Sequence, residues 1–202
     1  PLTKCLSPLA TCQAEAAVRG HDPRIVATDG ASFSSAYSVS ATVASNGLRR
    51  AATGTWQSLF ADAICDDEDG KKRNGHYGSV TRQLAALKSP DVVGSEAARR
   101  ALARLGAVKP KTGSYPVVFS REASPALLGL LVSCATASAL WRKRSYLAGR
   151  LGETVANPCV TVVDDPLLVG LLGSSAVDGE GRARRRNVLV DEGRLALFLA
   201  AQ

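Results

Sequence analysis

Alternating polar and apolar positions dominate the first ninety residues and predict an antiparallel β meander. Within residues 33–44, one face carries Phe33, Tyr37, Val39, Ala41 and Val43, and the other carries Ser34, Ser38, Ser40 and Thr42, which is the period of a strand with one buried face. Ser45-Asn46-Gly47 follows, and Asn-Gly between two such runs predicts a hairpin. The second alternating run places its largest side chains on one face: Trp56, Phe60 and Ile64.

Turn signals and short apolar runs complete this meander. The acidic segment at 66–71 contains a glycine and predicts a second turn, after which residues 77–80 return as a strand. Residues 25–27 are β-branched or small and predict a short strand, and Asp29-Gly30 predicts a turn directly after it.

Ser-Pro pairs mark the starts of two helices in this part of the chain. Ser7-Pro8 predicts a helix that runs to about Arg19 and ends at Gly20. Ser89-Pro90 predicts a second helix, which ends at Gly106. The apolar stripe of the second helix consists of Val93, Ala97, Ala101, Leu102 and Leu105.

Beyond a polar loop at 109–114, helical and strand patterns alternate. The predicted elements are, in chain order, a short strand at 115–119, a long helix from Ser124-Pro125 to about Leu147, a strand at 160–163, a glycine-containing loop at 167–175 and a hairpin formed by 188–190 and 195–199.

These patterns predict an α+β fold: an antiparallel β meander with helices, followed by an α/β segment of a second, β-rich domain. We expect residues 1–88 to be the end of an N-terminal α+β domain, residues 89–110 to be a connecting helix and loop, and residues 111–202 to be the start of a C-terminal domain. The chain has no methionine and stops inside an apolar run, so we expect it to be a piece of a longer protein.

Composition adds three constraints. The 202 residues include 32 alanines but only 4 Phe, 4 Tyr and 2 Trp, which favours a core of closely spaced backbones. The net charge of +7 permits an acidic partner or nucleic acid and requires neither. Five cysteines without a C-x-x-C pair favour a reducing, cytoplasmic location. The most apolar stretch, residues 126–140, is shorter than the roughly 20 residues that span a bilayer, so we expect no membrane segment.

Candidate catalytic residues are few. The two histidines, His21 and His76, are 55 positions apart, so the chain cannot form a helical two-histidine zinc site. Asp164 and Asp165 at a strand end could bind a metal or act as acid and base, although a strand-end turn is the simpler interpretation. Cys134 is the remaining candidate for a stand-alone hydrolase.

Two basic runs are candidate binding sites for a substrate or partner. Arg142 and Arg144 follow Trp141 and precede Tyr146, whose rings could stack on nucleic-acid bases, although cations also suit a solvated helix end. In the second run, alternation would send Arg184 and Arg186 to one face and Arg185 to the other. Such a guanidinium row could bind a carboxylate, either a peptide end or a partner's acidic residue, or could belong to a solvated strand.

Several blocks of sequence resemble the TldD/PmbA family, also labelled modulator of DNA gyrase. The blocks are residues 151–158 (Leu-Gly-Glu-Thr-Val-Ala-Asn-Pro), 160–166 (Val-Thr-Val-Val-Asp-Asp-Pro), 178–181 (Asp-Gly-Glu-Gly), Arg185-Arg186, Val188-Leu189 and 191–195 (Asp-Glu-Gly-Arg-Leu). The helix at 93–105 and residues 115–119 are also similar. The resemblance covers nearly the whole chain, corresponds to the middle of a family member, and makes residues 111–202 the start of a PmbA/TldD-like domain.

The resemblance implies a division of labour between two kinds of subunit. TldD-type chains carry H-E-x-x-x-H on the helix after the strand that resembles residues 115–119, whereas PmbA/TldE-type chains lack it. The three motif positions would fall near Gly129, Leu130 and Cys134, so this chain resembles the PmbA/TldE type. A zinc peptidase needs a metal-bound water and a base, and Leu130 supplies neither.

The resemblance therefore implies a non-catalytic subunit of a TldD/TldE-type zinc metallopeptidase that acts on peptides or unfolded proteins. No cofactor is expected in this chain, and zinc is expected in the partner subunit. The expected partners are a TldD-type subunit or a second copy of this chain, and a peptide substrate. The alternative is a basic protein that associates with nucleic acid or gyrase.

Overall fold

The computed structural model describes residues 2–45, 47–68 and 70–200, with side chains from Pro8 onward. The chain divides into two compact units. The first runs to Pro110 and includes Val169–Leu172, and the second comprises Lys111–Leu168 and the residues from Gly173 onward. This division groups residues 89–110 with the first unit. The domain limits expected from the sequence stay a prediction.

The first unit is an antiparallel sheet with helices on one face, which confirms the α+β class. The elements of this unit are α1 (Leu2–Arg19), β1 (Ile25–Val43), β2 (Arg49–Asp66), β3 (Lys72–Thr81), a short 3-10 helix (Leu84–Ala86) and α2 (Pro90–Leu102). The strands pair in the order β1-β2-β3.

Small residues let the two helices approach the sheet and each other closely. The buried side of β2 carries Leu59, Ala61, Ala63 and Cys65. The buried residues of α2 that face this core are mostly alanine and glycine, which agrees with the alanine-rich composition. Trp56, Phe60 and Ile64 do share one face of β2, but that face is the open one: Trp56 is 42% exposed.

The outer half of the β1–β2 hairpin departs from the prediction of a buried face. Tyr37, Val39 and Val43 point to the same side as the core residues, because Phe33 pairs with Leu59 and the alternation continues along the strand. They are nevertheless 68%, 65% and 75% exposed. The strand period was predicted correctly, but among the described residues of this unit no helix covers the far end of the hairpin.

Two local predictions in this unit were wrong. The first helix begins at Leu2 and contains Pro8, instead of starting at Ser7-Pro8. Asp29-Gly30 is an irregularity inside β1, where Gly30 has a φ of 107°, and not a turn. Of the two predicted hairpin turns, Asn46 and Asp69 lie outside the described residues, but the strands on either side pair as expected.

The second unit has fewer regular elements. They are α3 (Ser124–Cys134), α4 (Ala137–Trp141), β4 (Val162–Asp164), β5 (Asn187–Asp191) and β6 (Arg194–Leu195). The three strands form an antiparallel sheet in the order β4-β5-β6. The β5–β6 turn is formed by Glu192 and Gly193, with φ values of 44° and 81°.

The second unit contains two further corrections. Residues 115–119 form no strand and are irregular. The long helix predicted from Ser124 to Leu147 is interrupted after Cys134, and Thr136 caps a new helix because its hydroxyl oxygen accepts the backbone N–H of Ala139 at 3.2 Å. The core here forms where Ala135, Leu147, Leu189 and Leu195 meet. Throughout the described ranges, no helix is long and apolar enough to cross a membrane.

Candidate functional site

The helix α3 holds Gly129, Leu130 and Cys134, the three positions at which the sequence resemblance would place a zinc motif. Gly129 has no side chain, and open space surrounds the place a Cβ would occupy. Leu130 is 60% exposed, whereas Cys134 is half-buried against the core of the second unit. The Cys134 thiol is therefore the one potential metal ligand among these three side chains.

These residues do not fit a zinc ion. Structural and catalytic zinc sites use at least three protein ligands drawn from Cys, His, Asp and Glu. Among the residues that the structure describes, no cluster of three or more such side chains could hold a metal. His21 follows α1 on the surface, and His76 lies on the open face of the first unit's sheet, where its Nδ1 is 2.9 Å from Asp62 Oδ1 and its ring stacks on Phe60.

A cleft of about 470 Å³ opens in the second unit beside the second basic run. Part of its lining, here called the basic wall, consists of arginines, and another part is apolar. The lining residues are Asp164, Pro166, Asp178, Arg182, Ala183, Arg184, Arg185, Asn187, Leu197, Phe198, Leu199 and Ala200. The volume lies within the range of small-ligand pockets, roughly 300–1,000 Å³.

Backbone hydrogen bonds hold the basic wall in place. The Asp178 carboxylate accepts the N–H groups of Glu180 at 2.9 Å and Arg182 at 2.8 Å, and the Asp178 N–H donates to the Arg182 carbonyl at 2.9 Å. The N–H of Arg184 donates to the carbonyl of Ala176 at 2.9 Å. The hydrogen bond from the Arg182 N–H is the main reason that the pKa of Asp178 lies below its ordinary value.

The arginine run lies in this loop and not in a strand, because β5 begins only at Asn187. Arg184 and Arg185 both line the cleft, whereas the guanidinium of Arg186 lies 3.9 Å from the Asp165 carboxylate. The alternation that grouped Arg184 with Arg186 therefore does not form. The sequence prediction also missed Arg182, because hydrogen bonds to the backbone, and not a strand period, close the loop that presents it. The turn residues Asp178-Gly179-Glu180-Gly181 were the available signal for this loop.

Asp164 and Asp165 lie where β4 ends and the chain turns, as the simpler interpretation of the sequence predicted. β4 ends at Asp164, whose carboxylate accepts the Asn187 side-chain amide at 3.2 Å. Asp165 accepts the backbone N–H of Leu167 at 3.1 Å. Both carboxylates thus fix local backbone and side-chain positions.

The first basic run is a separate surface. Trp141 ends α4 and is 88% exposed, and Tyr146 is 56% exposed. Arg142, Lys143 and Arg144 between them are exposed. Their backbone N–H groups bond back to carbonyls of α4, so the segment closes the helix while its side chains extend into solvent.

Two family models match the chain. The model described as the PmbA/TldA metallopeptidase central domain matches residues 13–105. The model described as the PmbA/TldA metallopeptidase C-terminal domain matches residues 112–202.

Individual relatives agree with these matches. The metalloprotease PmbA of Escherichia coli O157:H7 is 33% identical over 89% of this chain and 40% of its own length. A metalloprotease TldD homologue of Haemophilus influenzae is 30% identical over 90% of this chain and 39% of its own length. This chain therefore spans about two fifths of the length of these curated relatives.

Two crystal structures share the fold. A protein from Thermotoga maritima, described as a modulator of a DNA gyrase, superposes with a TM-score of 0.87 at 26% identity over 96% of this chain and 45% of its own. TldE from Thermococcus kodakarensis superposes with a TM-score of 0.76 at 19% identity, covering 96% of this chain and 45% of its own, which supports the fold alone.

Proposed function

Because the chain belongs to the PmbA/TldD metallopeptidase family, we propose that it is part of a PmbA/TldE-like subunit that supplies no zinc ligand. Its partner is a TldD-type chain, which provides the zinc and the general base. Together they hydrolyse peptides or unfolded proteins.

The observation that carries this proposal is the composition of α3. At the three motif positions the helix has Gly129, which lacks a side chain, the aliphatic Leu130, and the thiol of Cys134. Hydrolysis by a metallopeptidase needs a metal that activates water and a carboxylate that takes its proton. Since Leu130 provides no proton acceptor, the step that activates water falls to another chain.

We also place the complex in the cytoplasm. The four cysteines whose side chains are described, Cys12, Cys65, Cys134 and Cys159, are all free. Free thiols persist in reducing compartments, whereas disulfides accumulate outside them.

Coexpression tests the proposal. The full chain is purified alone and together with a TldD-type chain from the same organism, and each sample is assayed for zinc by mass spectrometry and for cleavage of a flexible fluorogenic peptide. The chain alone is expected to bind no stoichiometric zinc and to cleave nothing. The pair is expected to contain zinc and to show hydrolysis that a chelator abolishes.

A matched variant separates the two chains' roles. Leu130→Gln adds a polar side chain at the position of the catalytic glutamate without adding a base, and it should leave hydrolysis by the pair within about twofold. Chelator-sensitive hydrolysis by this chain alone, or zinc bound stoichiometrically at residues 129–134, would contradict the proposal.

Nucleic-acid binding remains the second candidate, favoured by the segment around Trp141. An exposed ring next to three cations is the combination that stacks on bases and neutralises phosphates. Binding of a 20-base-pair duplex at low salt, with an affinity that falls steeply as salt rises and is lost in Trp141→Ala, would support it. No detectable shift at low salt would remove it.

A further inference from the structure

We propose that the cleft of the second unit, between the arginine loop and residues 197–200, binds the free C-terminal carboxylate of a peptide whose last side chain is apolar. This inference rests on the proposed action on peptides and adds the chemical feature of the peptide that is recognised. It requires no contribution to hydrolysis from this chain.

The charge of the cleft favours an anionic ligand. Arg182, Arg184 and Arg185 line it, against the carboxylates of Asp164 and Asp178. Both carboxylates already accept hydrogen bonds from the chain. The three arginines outnumber the two aspartates, so the lining keeps a net charge of +1.

Arg184 and Arg185 have guanidinium groups available for a ligand. Among the described residues, neither guanidinium makes a hydrogen bond or a salt bridge, whereas Arg182 pairs with Glu180 at 3.6 Å and Arg186 with Asp165 at 3.9 Å. A guanidinium binds a carboxylate through two parallel N–H···O bonds, which makes arginine the side chain suited to this group.

The apolar part of the lining selects the residue that carries the carboxylate. Leu197, Phe198 and Leu199 are half-buried and line the cleft together with Pro166. An apolar side chain placed against them is removed from water, which is favourable in proportion to the area covered. A peptide end with an apolar last residue carries the anion and the apolar group on the same Cα.

The loop is fixed before a ligand arrives. The hydrogen bonds of Asp178 to its own turn and of Arg184 to Ala176 hold the backbone up to Arg184, and β5 begins at Asn187, two residues after Arg185. A ligand therefore orders the two side chains but not the loop, which lowers the entropic cost of binding.

Fluorescence anisotropy on the full chain in complex with its TldD-type partner tests the inference. The probe is an amino-terminally fluorescein-labelled pentapeptide, Ala-Gly-Ala-Leu-Phe, with chelator present so that no peptide is cleaved. The carboxylate form is expected to bind about tenfold or more tightly than the C-terminal amide, since hydrogen bonds to charged groups are the stronger ones. A peptide that ends in glycine is expected to bind more weakly than the one that ends in phenylalanine.

Matched variants identify the site. Arg184→Gln with Arg185→Gln should remove the difference between acid and amide, whereas Arg142→Gln with Arg144→Gln removes the same charge from the other basic run and should preserve it. Arg184→Lys with Arg185→Lys should keep part of the preference for the acid, because these substitutions preserve the charge without the two-pronged geometry.

The acid–amide comparison needs no change in the protein, so misfolding of a variant cannot imitate its result. Equal affinity for the acid and the amide would overturn the inference. Loss of the preference in both double variants would also overturn it, because the preference would then not depend on Arg184 and Arg185. A complex that binds the acid but never hydrolyses peptide would overturn the proposed function and leave this inference intact. Hydrolysis without any preference for the acid would do the reverse.

Discussion

Gly75 of β3 lies so close to α2 that the packing of the first unit leaves no room for a side chain at this position. A Cβ at this position would lie 2.1 Å from the Ala97 carbonyl oxygen and 2.2 Å from the Ala101 nitrogen, both in the backbone of α2. Ordinary contact begins at 3.4 Å, so Gly75→Ala forces α2 outward by about 1.3 Å. Backbone atoms of a helix cannot rotate aside as a side chain can, and a shift of the whole helix loosens its contacts with the sheet.

Two opposing contributions set the change in the free energy of unfolding on Gly75→Ala. Glycine inside a strand makes the fold less stable than alanine does by roughly 0.5–1 kcal/mol, which favours the substitution. Overpacking costs about 1–3 kcal/mol and more where the neighbours are rigid. The first unit is expected to lose about 2 kcal/mol in its free energy of unfolding, and its melting temperature should fall by roughly 10 °C.

The control is Gly54→Ala in β2, where the nearest atom is the Ser38 hydroxyl oxygen at 3.0 Å, which can rotate away. This variant should be within about 0.5 kcal/mol of the parent or slightly more stable. Both are measured in the full chain by denaturant unfolding, and hydrogen exchange of the α2 amides shows whether the loss is local to that helix. Equal stability of the two variants would refute the close packing of α2 on β3.

Three other predictions follow from individual contacts. Asp67 accepts hydrogen bonds from Arg73 and from the Gly106 N–H, which lower its pKa. Because a lowered pKa in the folded state stabilises the fold above the unfolded value of about 3.9, Asp67→Asn should lower the melting temperature at pH 7. This difference should disappear as the pH falls below 4, and a difference that stays constant with pH would contradict the prediction. Gly129→Ala, with no neighbour within 4 Å, should stabilise α3 by about 1 kcal/mol and leave peptide hydrolysis by the complex unchanged; a loss of activity would place this helix in the catalytic machinery. Thr136→Val should destabilise the second unit by about 1 kcal/mol through loss of the helix cap, and Thr136→Ser should restore most of it in the same unfolding assay.

Local signals explain the parts of the fold that could be predicted. Polar turns between alternating runs predict hairpins from adjacent residues alone, and Ser89-Pro90 predicts the start of α2 in the same way. The β1-β2-β3 order and the start of α2 were therefore confirmed. These features need no knowledge of which parts of the chain meet in space.

The side of a strand that becomes buried depends on distant residues. Alternation in β2 shows that two faces exist, and Trp56 and Phe60 made one of them the more apolar. The helices nevertheless cover the face of Leu59 and Ala61, because α2 can approach the sheet closely only where Gly75 leaves room. Small residues, which contribute little to a hydrophobicity pattern, thus decided the core.

The candidate site was predictable only in its residue types. The arginine run was visible, but its arrangement was derived from a strand period that the chain does not adopt there. The cleft depends on the hydrogen bonds that the Asp178 carboxylate accepts from backbone N–H groups, and on residues 197–200, which approach from another part of the chain. Such closure leaves no periodic signal in the sequence.

The two proposals make different demands on the second unit, which explains how one can persist without the other. Hydrolysis through an H-E-x-x-x-H motif requires two histidine ligands and a glutamate base at fixed spacing, and an aliphatic residue such as Leu130 at the glutamate position removes the base. Recognition of a peptide end requires guanidinium groups and an apolar wall, and Arg184, Arg185 and Phe198 supply these from a loop and a terminal segment that α3 does not form. If both proposals hold, this chain contributes a substrate-binding cleft and no metal ligand, and binding and bond cleavage are divided between two unlike subunits.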